Sequence, residues 1–227
     1  MTTITPTFRI RDAVPSPAND DALFIAAAFD SCIPHLATIG SATQWGTEPI
    51  SERPNFHEQR TSSIAEAAEY LRTGAGKPVR VLIIDAETPS GGWVPVGSST
   101  LRGNYFSKYL LEQKHLEHET KREGNWMFLE VLVTSFSEEA RPYRKGAGAA
   151  LVKHAKAWAE ELGMDVMFVD CWAGNEGKLV KFYEAQGFEK VDGFEVERPD
   201  GRDPWPGMFL RMDIGKSDDA LSTKNTA

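Results

Sequence analysis

The chain has 227 residues, 41% of them hydrophobic and 26% charged, with a formal net charge of −8. This is the composition of an ordinary globular protein, large enough to bury a core without metals or disulfides. The negative charge argues against a nucleic-acid binder that works through phosphate contacts; it serves solubility and mildly favours a cationic substrate through steering. Cys32 and Cys171 lie far apart and form no CxxC pair. Neither a disulfide framework nor a metal site is expected, and the compartment reads as reducing, most simply the cytoplasm. Met1 to Pro17 has no apolar region of signal-peptide type, and no run of about 18 apolar residues suggests a membrane span.

Phe8 to Ala13 alternates apolar and polar residues and reads as a short strand. Asp20 and Asp21 stand as N-cap candidates before the apolar-rich Ala22 to Phe29, and Pro34 is expected to end or bend that helix. A second helix is predicted from Phe56 to Leu71, closed by Gly74 to Pro78. Val79 to Asp85 and Trp93 to Leu101 read as a hairpin around Thr88 to Gly92. The charged segment 102–125 reads as an insertion, either near an active-site mouth or as a solvated surface helix. Trp126 to Thr134 is the next strand, and a helix follows from Lys145 to Gly163. Val166 to Cys171 is a strand, Glu176 to Gln186 a helix ended by Gly187, and Phe188 to Glu197 and Met208 to Ile214 late strands. The polar stretch from Gly215 to Ala227 reads as a disordered tail. Residues 1–214 are expected to form a single α/β domain around one twisted mixed sheet.

The segment that carries chemistry runs from Leu129 to Leu151. A strand, Leu129-Glu130-Val131-Leu132-Val133, leads to the turn Tyr143-Arg144-Lys145-Gly146-Ala147-Gly148-Ala149-Ala150-Leu151, which opens a helix. Small residues let the backbone approach an anion, and the free N–H groups and dipole of a first helical turn attract it. Arg144 and Lys145 add positive charge. The P-loop pattern GxxxxGK[ST] is absent, and GxGxxG fails at Leu151. From these residues alone, a pyrophosphate cradle and a helix start packed close to a strand both remain open.

The strand and turn resemble motif A of the GNAT superfamily of N-acetyltransferases. Gly146 and Gly148 match its Q/R-x-x-G-x-G/A pattern, while Tyr143 stands where Gln or Arg is usual and the connection before it is lengthened. Downstream, Asp170 to Asn175 followed by Phe182-Tyr183 and Gly187-Phe188 resembles motif B. The resemblance is closest from Trp126 to Phe188. It implies a GNAT-type mixed, mostly antiparallel sheet of about seven strands with helices on both faces.

The resemblance also implies transfer of an acetyl group from acetyl-CoA directly to a primary amine, most simply that of a small molecule. The pyrophosphate of coenzyme A would lie on the amides of Arg144, Lys145, Gly146, Ala147, Gly148, Ala149 and Ala150. The backbone of Val131, Leu132 and Val133 would meet the pantetheine arm and thioester carbonyl. Tyr183 takes the position of the general acid, and a phenol of pKa about 10 can protonate a thiolate. The alternative for Tyr183 is core packing. Glu130 is a candidate base, if a local bulge turns it to the substrate; otherwise it pairs with a neighbouring cation. Asp170 and His115 are weaker candidates for the base. Asn175 either binds coenzyme A or a water near Tyr183, or caps the helix at Glu176. A protein acceptor (lysine or N-terminus) and a non-catalytic acyl-CoA-binding module remain alternatives. No nucleic acid, membrane or metal is expected, and whether the protein is a monomer or a homodimer is open.

Overall fold

A computed structural model describes residues 6–16, 19–198 and 201–215. Strand β1 (Phe8–Asp12) is followed by a small hairpin of β2 (Pro15–Ser16) and β3 (Asn19–Asp20). Helix α1 (Asp21–Thr38) starts where the Asp20 carboxylate accepts from the Leu23 N–H at 3.0 Å. Pro34 does not end it. The proline ring removes one donor, but Cys32 and Leu36 on either side pack against Val133 and Phe136 and hold the turn in place. Helix α2 (Phe56–Thr73) closes on Gly74 in a left-handed conformation (φ +67°).

Strands β4 (Val79–Glu87) and β5 (Trp93–Gly103) follow. After Gly103 come short helices α3 (Lys108–Leu111) and α4 (Glu117–Thr120), then β6 (Trp126–Thr134). Helix α5 (Ala147–Glu161), β7 (Val166–Trp172), α6 (Gly174–Glu184), β8 (Glu189–Val196) and β9 (Trp205–Asp213) complete the order. The predicted tail lies, from residue 216 onward, outside the described residues. Among the described residues no helix is long and apolar enough to cross a membrane.

The sheet has seven strands in the order β1-β4-β5-β6-β7-β9-β8, antiparallel throughout except for the β6–β7 pair. This is the mixed, mostly antiparallel sheet expected from the sequence. Period-two alternation sorts its side chains into two layers. Leu82, Ile84, Met127, Leu129, Met167 and Val169 pack under α5 and α6 with Leu151, Ala155, Val180 and Tyr183. On the other face Val79, Val81 and Ile83 pack under α1 and α2. Further along that face the inserted segment buries Phe106, Leu110 and Leu116 against Phe128, Phe168 and Phe209. Lys108 and Lys121 point to solvent, while Glu119 is buried beside Arg122 and Arg211.

The β1 edge is held by charge. The Arg11 guanidinium clasps Asp21 at 2.7 and 2.8 Å, and its Nε donates to Asp85 at 3.2 Å. Both carboxylates are almost fully buried. Removing the shared cation leaves each short of a partner, so Arg11→Met should cost about 3 kcal/mol of stability. Urea unfolding measures this; a loss below about 1 kcal/mol would contradict the account.

Candidate active site

Strands β6 and β7 pair in parallel only from Trp126↔Val166 to Leu129↔Val169. Beyond that point β7 pairs only with β9, and β6 only with β5. The cause lies in β6. Thr100 of β5 faces Val131 and Leu101 faces Leu129, so Glu130 is an extra residue, a bulge. A bulge bends its strand and increases the local twist. From Glu130 to Thr134 the edge of β6 facing β7 therefore has no strand partner. A cavity of about 810 Å³ opens along it, lined by Leu129 to Thr134, by β7, and by residues of α1, α5 and α6.

One end of this cavity is built for an anion. Gly146 has φ +93°, a conformation that disfavours any Cβ, and it turns the chain into α5. The N–H groups of Arg144, Ala147 and Ala150 are committed to Ala140, Arg144 and Gly146 carbonyls. Among the described residues nothing accepts from Lys145, Gly146, Gly148 or Ala149. Four cations line the same cavity: Arg141, Arg144, Lys145 and Lys178. None has a carboxylate partner among the described residues. The Arg144 guanidinium lies 3.5 Å over the Phe136 ring, which stacks on His35, and its buried Nε has no partner. Burial and Arg141 lower the Arg144 pKa, as expected of a cation lacking its anion. The donor set fits a pyrophosphate.

The vertex of the gap is acidic. Glu130 and Asp170 are the first residues past the last parallel pair, one on each strand, and both line the cavity. Glu130 accepts from Arg102 Nε at 2.8 Å, and Arg102 also reaches Glu66 and Ser63 on α2. Asp170 has a different environment: the Tyr109 hydroxyl donates to its carboxylate, at 3.1 and 3.2 Å from the two oxygens. Burial pushes the Asp170 carboxyl up to about 7; the Tyr109 hydrogen bond opposes the shift and the Glu130 charge adds to it.

From the opposite sheet face Tyr183 reaches the cavity wall, 4% exposed and with no hydrogen bond recorded to its hydroxyl among the described residues. Burial, with Cys171 and Asp170 nearby, raises its pKa and keeps the phenol protonated. Trp172 Nε1 is a second buried donor without a partner on this wall. Cys32 and Cys171 are free thiols, and burial drives both upward, Cys32 to about 12, so neither is a ready nucleophile.

A loop after α1 covers the cavity and is tied down by its carbonyls. Asn175 Nδ2 donates to Ile39 O at 2.8 Å and Ser41 Oγ at 2.6 Å. Arg198 donates to Thr43 O, Trp205 Nε1 to Gln44 O, and Arg53 to Trp45 O. The aromatic side chains Phe29, Trp45 and Trp205 line the cavity beneath this roof.

Residues 100–188 match the model of the Acetyltransferase (GNAT) family. Over that stretch the chain is similar to the GNAT family. Solved structures share the fold over nearly the whole chain. One is a GNAT superfamily phosphinothricin acetyltransferase from Sinorhizobium meliloti in complex with AcCoA, 18% identical with TM-score 0.52, covering 98% of this chain and 94% of that one. Another is a ribosomal-protein-alanine N-acetyltransferase from Brucella melitensis, 17% identical with TM-score 0.54, covering 91% and 99%. A GNAT-family acetyltransferase from Listeria monocytogenes is 16% identical with TM-score 0.54, covering 91% and 95%. At these identities the likeness is one of fold. No curated protein matches the chain.

The GNAT pattern anticipates residues that the structure brings to one cavity: Glu130, Val131, Leu132, Val133, Arg144, Lys145, Gly146, Gly148, Ala149, Asn175 and Tyr183. Three amides of the turn, those of Arg144, Ala147 and Ala150, are not available, because the turn uses them itself. Asn175 does not cap α6. Asn175, Glu176 and Gly177 are all left-handed (φ 51°, 57° and 66°), and the Asn175 amide holds the roof instead. His115 bonds the Gly193 carbonyl at 2.9 Å, away from the cavity lining. Tyr109, Arg141 and Lys178 escape the sequence reading. Tyr109 is hidden in a charged insertion, and the two cations lie outside the glycine motif.

If Asn175 is what latches the roof, Asn175→Ala should raise amide hydrogen exchange in residues 39–45 and 174–178 by about tenfold, leaving β4 and β5 unchanged. Exchange measured by mass spectrometry checks this; unchanged protection of the roof would show that the other carbonyl bonds suffice.

Proposed function

We propose that this protein is an acetyl-CoA-dependent N-acetyltransferase that acetylates a primary amine on a small molecule. The carrying observation is continuity: the unpaired edge of β6 from Glu130 to Thr134 leads to the free amides of Lys145, Gly146, Gly148 and Ala149. A pantetheine arm is peptide-like and can bond such an edge, and a pyrophosphate suits the amides and cations at its end. Acetyl-CoA supplies an acetyl group activated as a thioester.

The residues of the chain divide the remaining work. The backbone N–H of Leu132, which alternation turns to the free edge while Val131 and Val133 face β5, is a donor for the developing oxyanion, and Trp172 Nε1 is a further donor on the wall. Tyr183 holds a proton for the departing sulfur. Burial makes the phenol reluctant to ionise, and it also raises the basicity of a thiolate placed beside it. Glu130, fixed by Arg102, adds negative charge where the amine arrives. The loop over residues 39–45, bonded to α6 and β9, narrows the acceptor side of the cavity, and this supports a small acceptor.

Acetyl-CoA at about millimolar concentration should raise the melting temperature by several degrees, and Gly146→Val should remove that rise. No rise in the unaltered protein sinks the cofactor reading. Tyr183→Phe should lower turnover by about a hundredfold while the rise with acetyl-CoA persists. Unchanged turnover removes Tyr183 from the chemistry. Thiol release across polyamines, amino acids, aminoglycosides, arylamines and peptides identifies the acceptor; a preference for peptides would overturn the small-molecule assignment.

A further inference from the structure

The two carboxylates at the vertex differ in what holds them. Glu130 has a guanidinium on one oxygen, and that guanidinium is itself anchored on α2. A carboxylate held this way is already committed to a fixed cation and is not free to receive a second one. Asp170 has no cation within ion-pair distance among the described residues; its side-chain partner is a neutral phenol. All four cations of the cavity belong to the turn before α5 and to the start of α6. The cavity is therefore polarised along β6. It runs from an acidic vertex to a cationic turn, about 13 Å from Glu130 to Thr134 at the usual rise of a strand.

We infer that Asp170, positioned by Tyr109, receives the ammonium of an amine with an apolar body and takes its proton. The inference rests on the acetyltransferase reading and names its acceptor class. A buried carboxylate with no cation of its own is costly, and a bound ammonium relieves that cost. Phe29, Trp45 and Trp205 line the same compartment and present ring faces and apolar surface to the rest of the acceptor. The other titratable groups around Asp170 are Glu130 on β6, Tyr109 on α3, and Cys171 and Tyr183 toward the other face; β9 offers Phe209. None of these is a cation at neutral pH.

The proton balance is complete. One ammonium proton passes to an Asp170 oxygen, which frees the nitrogen lone pair. The C–N bond forms and the C–S bond breaks. The Tyr183 hydroxyl gives its proton to the sulfur and is restored by the second proton that the nitrogen loses on becoming an amide. The proton on Asp170 leaves to solvent, so one proton is released per turnover. A carboxyl poised near neutrality is matched to accepting and releasing a proton at physiological pH.

The test is amine binding to the full chain without cofactor, by calorimetry, with phenethylamine as the cationic probe and phenethyl alcohol as its neutral counterpart. An alkylamine stays protonated up to about pH 10, so pH dependence near 7 belongs to the protein. Phenethylamine should bind at least about tenfold more tightly at about pH 8 than at about pH 5.5. The alcohol should bind weakly at both. Asp170→Asn should abolish the pH dependence. Tyr109→Phe removes a donor that favours the carboxylate, so the midpoint should move to higher pH. Three results overturn the inference: no phenethylamine binding, equal binding of the alcohol, or an unchanged pH profile in Asp170→Asn. The broader reading is tested separately, since Asp170→Asn should keep its melting-temperature rise with acetyl-CoA even if the amine result fails.

Discussion

The parallel pairing of β6 with β7 stops at Leu129 and Val169, and the site exists because it stops there. A sheet normally satisfies every backbone group along its interior strands. Here Glu130 interposes one residue against β5, the strand bends, and the edge facing β7 is released. The bulge also resets alternation, since Glu130 becomes an extra residue before Val131. Leu129 and Leu132 then belong to the core under α5, while Val131 and Val133 pack toward α1. Without the bulge β6 would be an ordinary interior strand.

What the released edge opens onto is set by charge. The turn before α5 and the start of α6 carry four lining cations with no carboxylate among the described residues to meet them. The vertex carries two carboxylates, one held by arginine and one by tyrosine. This separation suits a ligand that is anionic at one end and meets a cationic partner at the other. It also gives the overall charge of −8 a local meaning that composition alone does not supply.

The parts of this arrangement differed in how far they could be read from the sequence. The strand Trp126 to Thr134 and the Gly146 turn are local features, written in a nearly continuous apolar run and in the need for a positive φ. The bulge at Glu130 is not local, because it is defined by what β5 places opposite. Pro34 misleads for the same reason: tertiary packing of Cys32 and Leu36 overrides the local penalty. Asn175 offered two uses by sequence, a coenzyme A ligand or a helix cap; three successive left-handed residues move the regular helix onward, and its amide bonds a loop far away in sequence. Tyr109 sits in a segment whose charged surface says nothing about the one side chain turned inward to Asp170.

The central claim is that one continuous surface, the free edge of β6 and the amides of the following turn, holds acetyl-CoA. Residue-resolved amide exchange with and without acetyl-CoA tests it most directly. The account predicts slowed exchange at Leu132 and Thr134, whose N–H groups face the free edge, and at Gly146, Gly148 and Ala149 together, with β4 and β8 unaffected. Protection confined to one of the two segments, or appearing elsewhere on the molecule, would contradict it.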